Sequence, residues 1–135
     1  MSTSNAGNVI YNKLVNTAGV TALVSTRIRP MRAADTDVYP YIIYESISKP
    51  SLQTKEGNSG WYKMRFQLSM LATSLLSVQN IADAVRTSLD GANGTIAGFA
   101  VQRITFEDER DIFNDNSAVD GVYMLQQDYF LTIQI

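Results

Sequence analysis

Five charged side chains follow one another without a break late in the sequence: Glu107, Asp108, Glu109, Arg110 and Asp111. Asp115 follows a few residues later. Carboxylates at this density can hold a divalent cation, or work as a general acid and base. A charge run is also typical of a solvated surface, which can contact a partner. The residue types therefore leave three alternatives for this stretch, namely a metal site, a catalytic cluster and a contact surface.

The spacing excludes a calcium loop of the EF-hand type. That loop needs oxygen ligands at positions 1, 3 and 5 and a glycine at position 6. Loops starting at Asp111 or at Asp115 place apolar side chains at ligand positions. A looser divalent site shared by Glu107, Glu109 and Asp111 stays open, because alternate residues of a strand lie on one side. We favour a solvated strand end over this site, and we expect no metal and no cofactor.

Catalytic equipment is scarce in the rest of the chain. The sequence contains no Cys and no His, which excludes disulfides, thiolate chemistry and a serine–histidine triad. Adjacent acids on an exposed segment also lack the apolar surroundings that separate the pKa values of a catalytic pair. We therefore expect no catalytic residue, and we expect the protein not to be an enzyme.

Length and composition indicate one domain spanning residues 1–135. The chain has 135 residues, is 45% hydrophobic and carries a formal net charge of -2. This composition is that of a globular protein with a core of its own. The charge gives no basic field for nucleic acid or anionic lipid. Because no apolar run reaches the roughly 18–20 residues of a membrane span, we expect a protein that folds in the cytoplasm and does not bind a membrane.

Two segments have the apolar spacing of helices that could position these side chains. Residues 8–17 have apolar side chains at positions that share one helical face. Residues 74–91 form a longer amphipathic pattern, with Ser74 as its N-cap and Gly91 as its stop. A short further turn is expected at residues 20–24.

Four segments have the patterns of strands. They cover residues 41–48, 61–71, 95–107 and 122–135, and the second alternates apolar and polar side chains throughout. Residues 49–60 are interpreted as a flexible loop or a hairpin tip, and the stretch beginning at residue 106 as a loop. The order α-β-β-α-β-β predicts an α+β fold, with an antiparallel sheet of about four strands and two helices packed on one face.

A nucleic-acid-binding surface is a further alternative for the strand at residues 61–71. Lys63 and Arg65 stand beside Trp61 and Tyr62, which is the composition of a stacking platform with phosphate contacts. The same residues also fit an ordinary solvent-facing strand. The acidic balance of the chain argues against a dedicated nucleic-acid binder.

Four segments, in order and at their spacings, resemble the tail-completion family of long-tailed bacteriophages, also called tail-to-head joining or tail-terminator proteins. These segments are "VTALVSTRIRP", "YPYIIYESIS", "IADAVRTSLDG" and "FEDERDIFNDNS". The resemblance runs over nearly the whole chain. It implies a structural virion protein at the neck between head and tail, synthesised in the host cytoplasm.

The resemblance further implies a ring, commonly a homohexamer, that ends the tail tube and joins it to the head–neck connector or stopper protein. The tail tube protein, the connector and further copies of the chain are then its partners. DNA passes through such a ring without specific binding. A completion protein on the head side of the neck, or another minor tail protein, is the alternative position.

In a ring, the residues 107–111 and Asp115 would line the channel or face a neighbouring subunit. Facing a neighbour, they would have cationic partners among Arg27, Arg29, Arg32 and Arg65. Lys55 and Glu56 of the 49–60 segment are expected to take part in the same assembly contacts.

Overall fold

A computed structural model describes residues 5–32, 38–48, 51–54, 57–114 and 122–134. The described residues form three helices and seven strands. The helices are α1 (Gly7–Val15), α2 (Ala18–Val24) and α3 (Leu75–Leu89). The strands are β1 (Ile28–Pro30), β2 (Tyr41–Ser48), β3 (Ser51–Thr54), β4 (Gly57–Ala72), β5 (Gly94–Ile96), β6 (Phe99–Asn114) and β7 (Val122–Gln134).

All seven strands belong to one mixed sheet. Its order is β1-β2-β4-β7-β6-β5, and β3 pairs with β4 beyond this path. The β1–β2 pair is parallel and the other pairs are antiparallel. Strand β7 lies between the two longest strands, β4 and β6, so the centre of the sheet is a long antiparallel triplet.

The core lies between the helices and one face of the sheet. Alternate side chains of β4 and β7 are buried on this face, from Met64 to Met70 and from Leu125 to Ile133. Helix α3 buries its apolar stripe against these strands, for example through Ile81, and α1 buries Ile10 in the same core. The period-two prediction for residues 61–71 is confirmed, because β4 buries one row of side chains and not the other.

Helix α3 begins as its sequence predicts. The hydroxyl of Ser74 accepts a hydrogen bond from the backbone N–H of Ser77 at 3.1 Å, as an N-cap does. Gly91, just after the helix, has a positive φ of 82°, which glycine adopts without steric cost. Leu75, the first residue of the helix, is 47% exposed.

The prediction of an antiparallel sheet of about four strands with two helices is wrong. The sheet has seven strands, includes a parallel pair and is accompanied by three helices. The sequence missed β1 and β3 because strands of three or four residues are too short to show alternation, and the strand predicted at residues 95–107 is divided into β5 and the start of β6. Pairing with long neighbours holds them in place. The segment 20–24, expected to be one turn, belongs to α2.

Two segments, one predicted as a loop or hairpin tip and the other as a loop, are also largely strand. Within residues 49–60, the described parts belong to β3 and β4, which pair as a hairpin. The stretch beginning at residue 106 continues as β6 as far as Asn114, which pairs with Val122. Its polar composition indicated a loop, but the strand is fixed by backbone pairing along β7 and its charged side chains remain accessible.

Among the described residues, no helix is long and apolar enough to cross a membrane.

Candidate assembly surface

The sheet face opposite the helices carries a cluster of charged side chains on its three central strands. Arg65 stands on β4, Asp128 on β7, and Arg110 on β6. The three strands run side by side, so Asp128 lies between the two guanidinium groups. Asp128 therefore connects the charged run on β6 with the arginine on β4.

Asp128 accepts three hydrogen bonds from the two arginines. Arg110 is bidentate, with Nη1 at 3.0 Å from Oδ2 and Nη2 at 3.1 Å from Oδ1. Arg65 Nη2 donates to Oδ2 at 2.9 Å. Asp128 is only 2% exposed. A fork of this geometry fixes the position of both partners and gives a stronger hydrogen bond than neutral groups would.

The electrostatic effects follow from these contacts. Hydrogen bonding from Arg110, and then from Arg65, holds the pKa of Asp128 below its ordinary value, although burial acts in the opposite direction. The same bonds to Asp128 raise the pKa of each arginine. All three groups are therefore ionised at neutral pH.

Two carboxylates of the charged run are neutralised within the chain. Glu107 Oε2 lies 3.3 Å from Arg65 Nε. Asp108 Oδ2 accepts from Arg110 Nη1 at 3.3 Å, and its side chain remains 59% exposed. With Asp128, three carboxylates therefore surround two guanidinium groups, and the open face carries far less charge than the sequence run indicates.

A register shift between Phe106 and Asp108 divides the charged run between the two faces of the sheet. Glu107 contacts Arg65 on the open face. Glu109 lies on the helix face, where its Oε1 accepts a hydrogen bond from Gln127 Nε2 at 2.7 Å. The open alternative of a divalent site shared by Glu107, Glu109 and Asp111 required strict alternation, and the bulge removes it. In the described part of the chain no group of three His, Cys, Asp or Glu side chains is placed to hold a metal ion.

Gln127 connects the strands to helix α3 in the core. It is fully buried, and its Nε2 also donates to the backbone carbonyl of Ala82 at 3.1 Å. Its Oε1 accepts from the hydroxyl of Tyr129 at 2.7 Å. Burial raises the pKa of Tyr129 well above its ordinary value, so this hydroxyl stays protonated and donates. The chain Glu109–Gln127–Tyr129 thus satisfies the polar groups that α3 and β7 bury together.

Asp111 is exposed near the far end of β6. It borders a small cavity of about 180 Å³, together with Leu75 of α3, Ile112 of β6 and Tyr123 of β7. Leu75 and Ile112 are themselves more than a third exposed. This end of β6 therefore combines a carboxylate with apolar surface.

The other predicted assembly residues lie elsewhere. Arg29 is in β1 and Arg32 follows it, at the opposite edge of the sheet from β6. Arg65 is occupied by Asp128 and Glu107 within the chain. Asp115, Lys55 and Glu56 lie outside the described residues.

The outer edge of β6 is covered only in its first half. Strand β5 pairs with residues 99–101. Next, Gly91 N donates to Ile104 O at 2.7 Å, and Ile104 N donates to Ala92 O at 2.9 Å. Asp90 Oδ1 accepts from Phe106 N at 3.1 Å. Beyond the bulge, none of the described strands pairs with this outer edge.

The nucleic-acid alternative for residues 61–65 loses its geometric basis. Tyr62 is turned to the core side of β4, so it does not stand beside Trp61 on one surface. Lys63 Nζ sits 4.4 Å above the ring of Phe130. Arg65 is held by carboxylates. The side chains proposed as a stacking platform are thus used within the fold.

Two residues at the centre of the site were missed by the sequence reasoning. Asp128 is the one charged residue of β7, in an otherwise neutral strand, and that isolation was the available signal. Gln127 occupies a position in phase with the apolar residues Leu125 and Tyr129. A polar side chain in the apolar phase of a strand indicates a buried hydrogen-bonding group.

Comparisons with known proteins give a family and a fold. The family described as Tail completion protein gp17 matches residues 8–127. A solved structure described as the virion of native gene transfer agent (GTA) particle contains a chain with a TM-score of 0.76 and 16% identity, covering 99% of this chain and 100% of that chain. A second solved structure has a TM-score of 0.56 and 11% identity, covering 90% of this chain and 89% of its own. None of the curated proteins matches significantly.

Proposed function

Because the chain belongs to the family of the tail completion protein gp17, we propose that it forms a ring that terminates the tail tube and joins it to the head–neck connector. The coarser function follows from the family itself: the protein is a structural component of a bacteriophage virion and lies in its tail. In the virion it assembles with other tail and head proteins. The ring, its position and its individual neighbours are the proposal.

One observation carries the ring proposal. The fold of this chain is matched from end to end by a chain of the gene transfer agent virion, with 99% and 100% of the two chains covered. A single domain of this size and fold, with nothing added, thus serves as a virion component. Identical subunits in which one surface contacts a different surface of the next copy form a closed ring when the rotation closes. A homohexamer is the ring that we expect.

The charges of the open sheet face fit a ring through which DNA passes without specific binding. Arg65 and Arg110, the cations of the cluster, are both engaged by Asp128 within the chain. They are therefore not available as phosphate ligands unless Asp128 is left buried and unpaired, which is costly. Specific DNA binding would instead need a basic surface, and the chain as a whole has a formal net charge of -2.

Purified protein tests the ring directly. Light scattering over a range of concentrations should give one closed oligomer, and negative-stain images should show rings with a central opening. Added to purified tail tubes that lack a terminal cap, the protein should bind at one end and stop further growth. A chain that stays monomeric at high concentration and never binds tail tubes would contradict the proposal.

Removal of the protein from an infecting phage tests its position in the neck. Loss of a tail terminator should give tails of uncontrolled length that do not attach to heads. Loss of a head-side neck protein should instead give tails of normal length beside heads that release their DNA. The second result would move the protein to the head side and overturn the tail-terminating role.

A further inference from the structure

We propose that neighbouring subunits of the ring contact one another through the two faces of the sheet, so that the outward side of helix α3 in one copy docks on the open sheet face of the next. This inference rests on the proposed ring and names its contact surfaces. We call the first surface the acidic ridge. It consists of exposed residues at the start of α3 and in the second half of β6, namely Leu76, Asn80, Glu109 and Asp111. We call the second surface the basic groove. It consists of residues of three neighbouring strands on the open face, namely Lys63, Arg103, Phe130 and Thr132.

The basic groove is an open depression of about 700 Å³. In the register of the sheet, Thr132 of β7 lies between Lys63 of β4 and Arg103 of β6. Because neighbouring strands are about 4.8 Å apart, the two cationic residues stand roughly 10 Å apart on one face. A carboxylate placed over Thr132 can therefore receive charge-assisted hydrogen bonds from both sides.

The two cations of the basic groove are not neutralised within the described part of the chain. Lys63 and Arg103 are exposed, and neither forms an ion pair there, in contrast to Arg65 and Arg110. Lys63 lies over the ring of Phe130, but an aromatic ring has no net charge and leaves the ammonium charge in place. The groove therefore offers two positive charges to a partner.

The acidic ridge lies on the other side of the sheet. Leu76 and Asn80 are four residues apart on α3, so they share one side of the helix. Both are exposed, Leu76 by 68%. Glu109 lines a depression together with Asn80, and Asp111 follows two residues later on the same side of β6. The ridge thus combines apolar surface with two carboxylates, as protein interfaces combine apolar and polar groups.

The carboxylates of the acidic ridge have no cation beside them to cancel their charge. Among the described residues, neither Glu109 nor Asp111 forms an ion pair. Glu109 accepts a hydrogen bond from Gln127, which is neutral. Arg110 stands between the two acids in the sequence, but it is engaged in the central cluster of the open face. Residues 115–121, which join β6 to β7, contain two Asp and no Lys or Arg, so they supply no positive charge.

The open face of the sheet needs another molecule to cover it. The helices of the same chain pack on the opposite face, and a sheet is commonly packed against helices. One copy cannot bring its own ridge to its own groove, because the two surfaces lie on opposite faces. Leu125, which pairs with Asp111, is also seven residues from Thr132, or roughly 23 Å along β7. A second copy can place its ridge on this groove.

The charges favour a second copy of this chain as the partner. Two copies that met through the same surface would bring like charges together, which is unfavourable. A ridge on a groove joins opposite charges, and each such contact leaves one ridge and one groove free for the next copy. A contact between two different surfaces generates a ring when the rotation closes.

DNA fits the basic groove less well than the acidic ridge does. A DNA duplex carries a negative charge about every 1.7 Å along its axis, so it needs a positive surface that continues well beyond two side chains. Next to the groove the open face carries three carboxylates and two guanidinium groups, namely Glu107, Asp108, Asp128, Arg65 and Arg110. The positive surface is therefore confined to the groove and matches a compact acidic partner.

Charge swapping tests the inference. Variant G carries Lys63→Glu and Arg103→Glu, which makes the groove acidic. Variant R carries Asn80→Lys, Glu109→Gln and Asp111→Lys, which makes the ridge basic, while the amide introduced at position 109 keeps an acceptor. Each variant alone should need at least about tenfold more protein than the wild type to reach half assembly. A chain with all five changes should assemble alone, since its ridge and groove again have opposite charge.

Native mass spectrometry shows which chains combine. An equimolar mixture of G and R should recover rings that contain the two variants in equal numbers, because the two must alternate. The chain with all five changes, mixed with the wild type, should instead form separate rings, since every mixed contact joins like charges. Free mixing of these two chains would contradict the proposed contact.

A matched pair of single changes provides the control. Arg103→Glu lies in the groove and should raise the half-assembly concentration at least about threefold. Lys13→Glu makes the same charge change in the last turn of α1, outside both surfaces, and should assemble like the wild type. Thermal unfolding of each variant reports whether it folds. If G or R does not fold, this pair decides the question, and an equal effect of both changes would overturn the inference.

The outcomes separate this inference from the ring itself. If the wild type forms rings and folded G and R assemble alone as well as it does, or fail to assemble when mixed, the contact is wrong while the ring stands. If the wild type binds duplex DNA and G loses this binding while its rings still form, the groove faces DNA and the inference is overturned. If the wild type never forms rings, the ring proposal and this inference both fall.

Discussion

Arg110 holds both carboxylate oxygens of Asp128, from Nη1 at 3.0 Å and from Nη2 at 3.1 Å. The two residues stand on neighbouring strands, and their contact fixes β6 against β7 just beyond the bulge. Arg65 completes the arrangement from β4. Three strands are thereby tied by side chains on the face that receives no helix.

We expect Asp128→Asn to lower the free energy of unfolding by about 1–3 kcal/mol. The amide keeps the shape of the side chain but removes the central counter-charge, so that Arg65 and Arg110 keep only their contacts with Glu107 and Asp108. The loss is limited because both arginine side chains are more than a third exposed and can regain water. Urea unfolding measures the change. Asp83→Asn, on the exposed side of α3, is the control, and its free energy of unfolding should stay within about 0.5 kcal/mol of the wild-type value. An equal loss in both variants would contradict the role of Asp128.

Acid should destabilise the wild type through the same carboxylate. The pKa of Asp128 is lowered from an ordinary value of 3.8 by the arginines, so on acidification the unfolded chain takes up this proton first. The stabilisation is therefore complete above pH 3.8 and is lost as the pH falls below that value towards the pKa of the folded state. Unfolding free energies at a series of pH values from 6 downwards should fall more steeply below this point for the wild type than for Asp128→Asn. Parallel curves would rule out the linkage.

The buried hydrogen bond between Tyr129 and Gln127 should appear as coupling in a double-mutant cycle. Tyr129→Phe should cost about 1 kcal/mol, because Gln127 Oε1 loses its donor. Gln127→Leu should cost about 2–4 kcal/mol, because the buried Tyr129 hydroxyl loses its acceptor and the Ala82 carbonyl loses its side-chain donor.

The Gln127→Leu/Tyr129→Phe protein should lose less than the sum of the two single changes, by about 1 kcal/mol. The reason is that the second change removes a group that the first has already left unpaired. Denaturant unfolding of the four proteins gives the coupling. Strict additivity would show that the two side chains do not stabilise each other.

Two glycines with equally open surroundings should respond in opposite directions to alanine. A Cβ added at Gly19 or at Gly91 meets no atom within 4 Å. Gly19 is helical, so Gly19→Ala should raise stability by about 0.4–1 kcal/mol through a less flexible unfolded chain. Gly91 has a φ of +82°, so Gly91→Ala should lower stability by about 1–2 kcal/mol. Thermal unfolding of the pair checks the sign, and a stabilising Gly91→Ala would refute the backbone argument.

The sequence predicts those elements whose own side chains are divided between core and solvent. Strand β4 and helix α3 each bury one face, and this leaves a period of two or of about 3.6 residues in the sequence. Strands β1 and β5 have three residues each and no such period. The second half of β6 also shows no strand pattern in its sequence. Its pairing with β7 uses backbone groups, which every residue type provides.

The contacts of the candidate assembly surface could not be predicted from the sequence either. The acidic run itself is visible in the sequence, but its partners Arg65 and Asp128 lie on strands that are distant along the chain. Only the register of β4, β7 and β6 brings these side chains together. The bulge matters as well, since one extra residue sends Glu107 and Glu109 to different faces, and nothing in the sequence marks its place.

The central position of β7 also has a mechanical consequence. Along nearly its whole length β7 is hydrogen-bonded to β4 on one side and to β6 on the other, from Tyr123 to Gln134. Those bonds run across the strand direction. Tension applied along β7 therefore loads them together, in shear, and cannot open them one after another as in peeling. A subunit held at the two ends of β7 and pulled along this strand would resist extension far better than one pulled perpendicular to the strands.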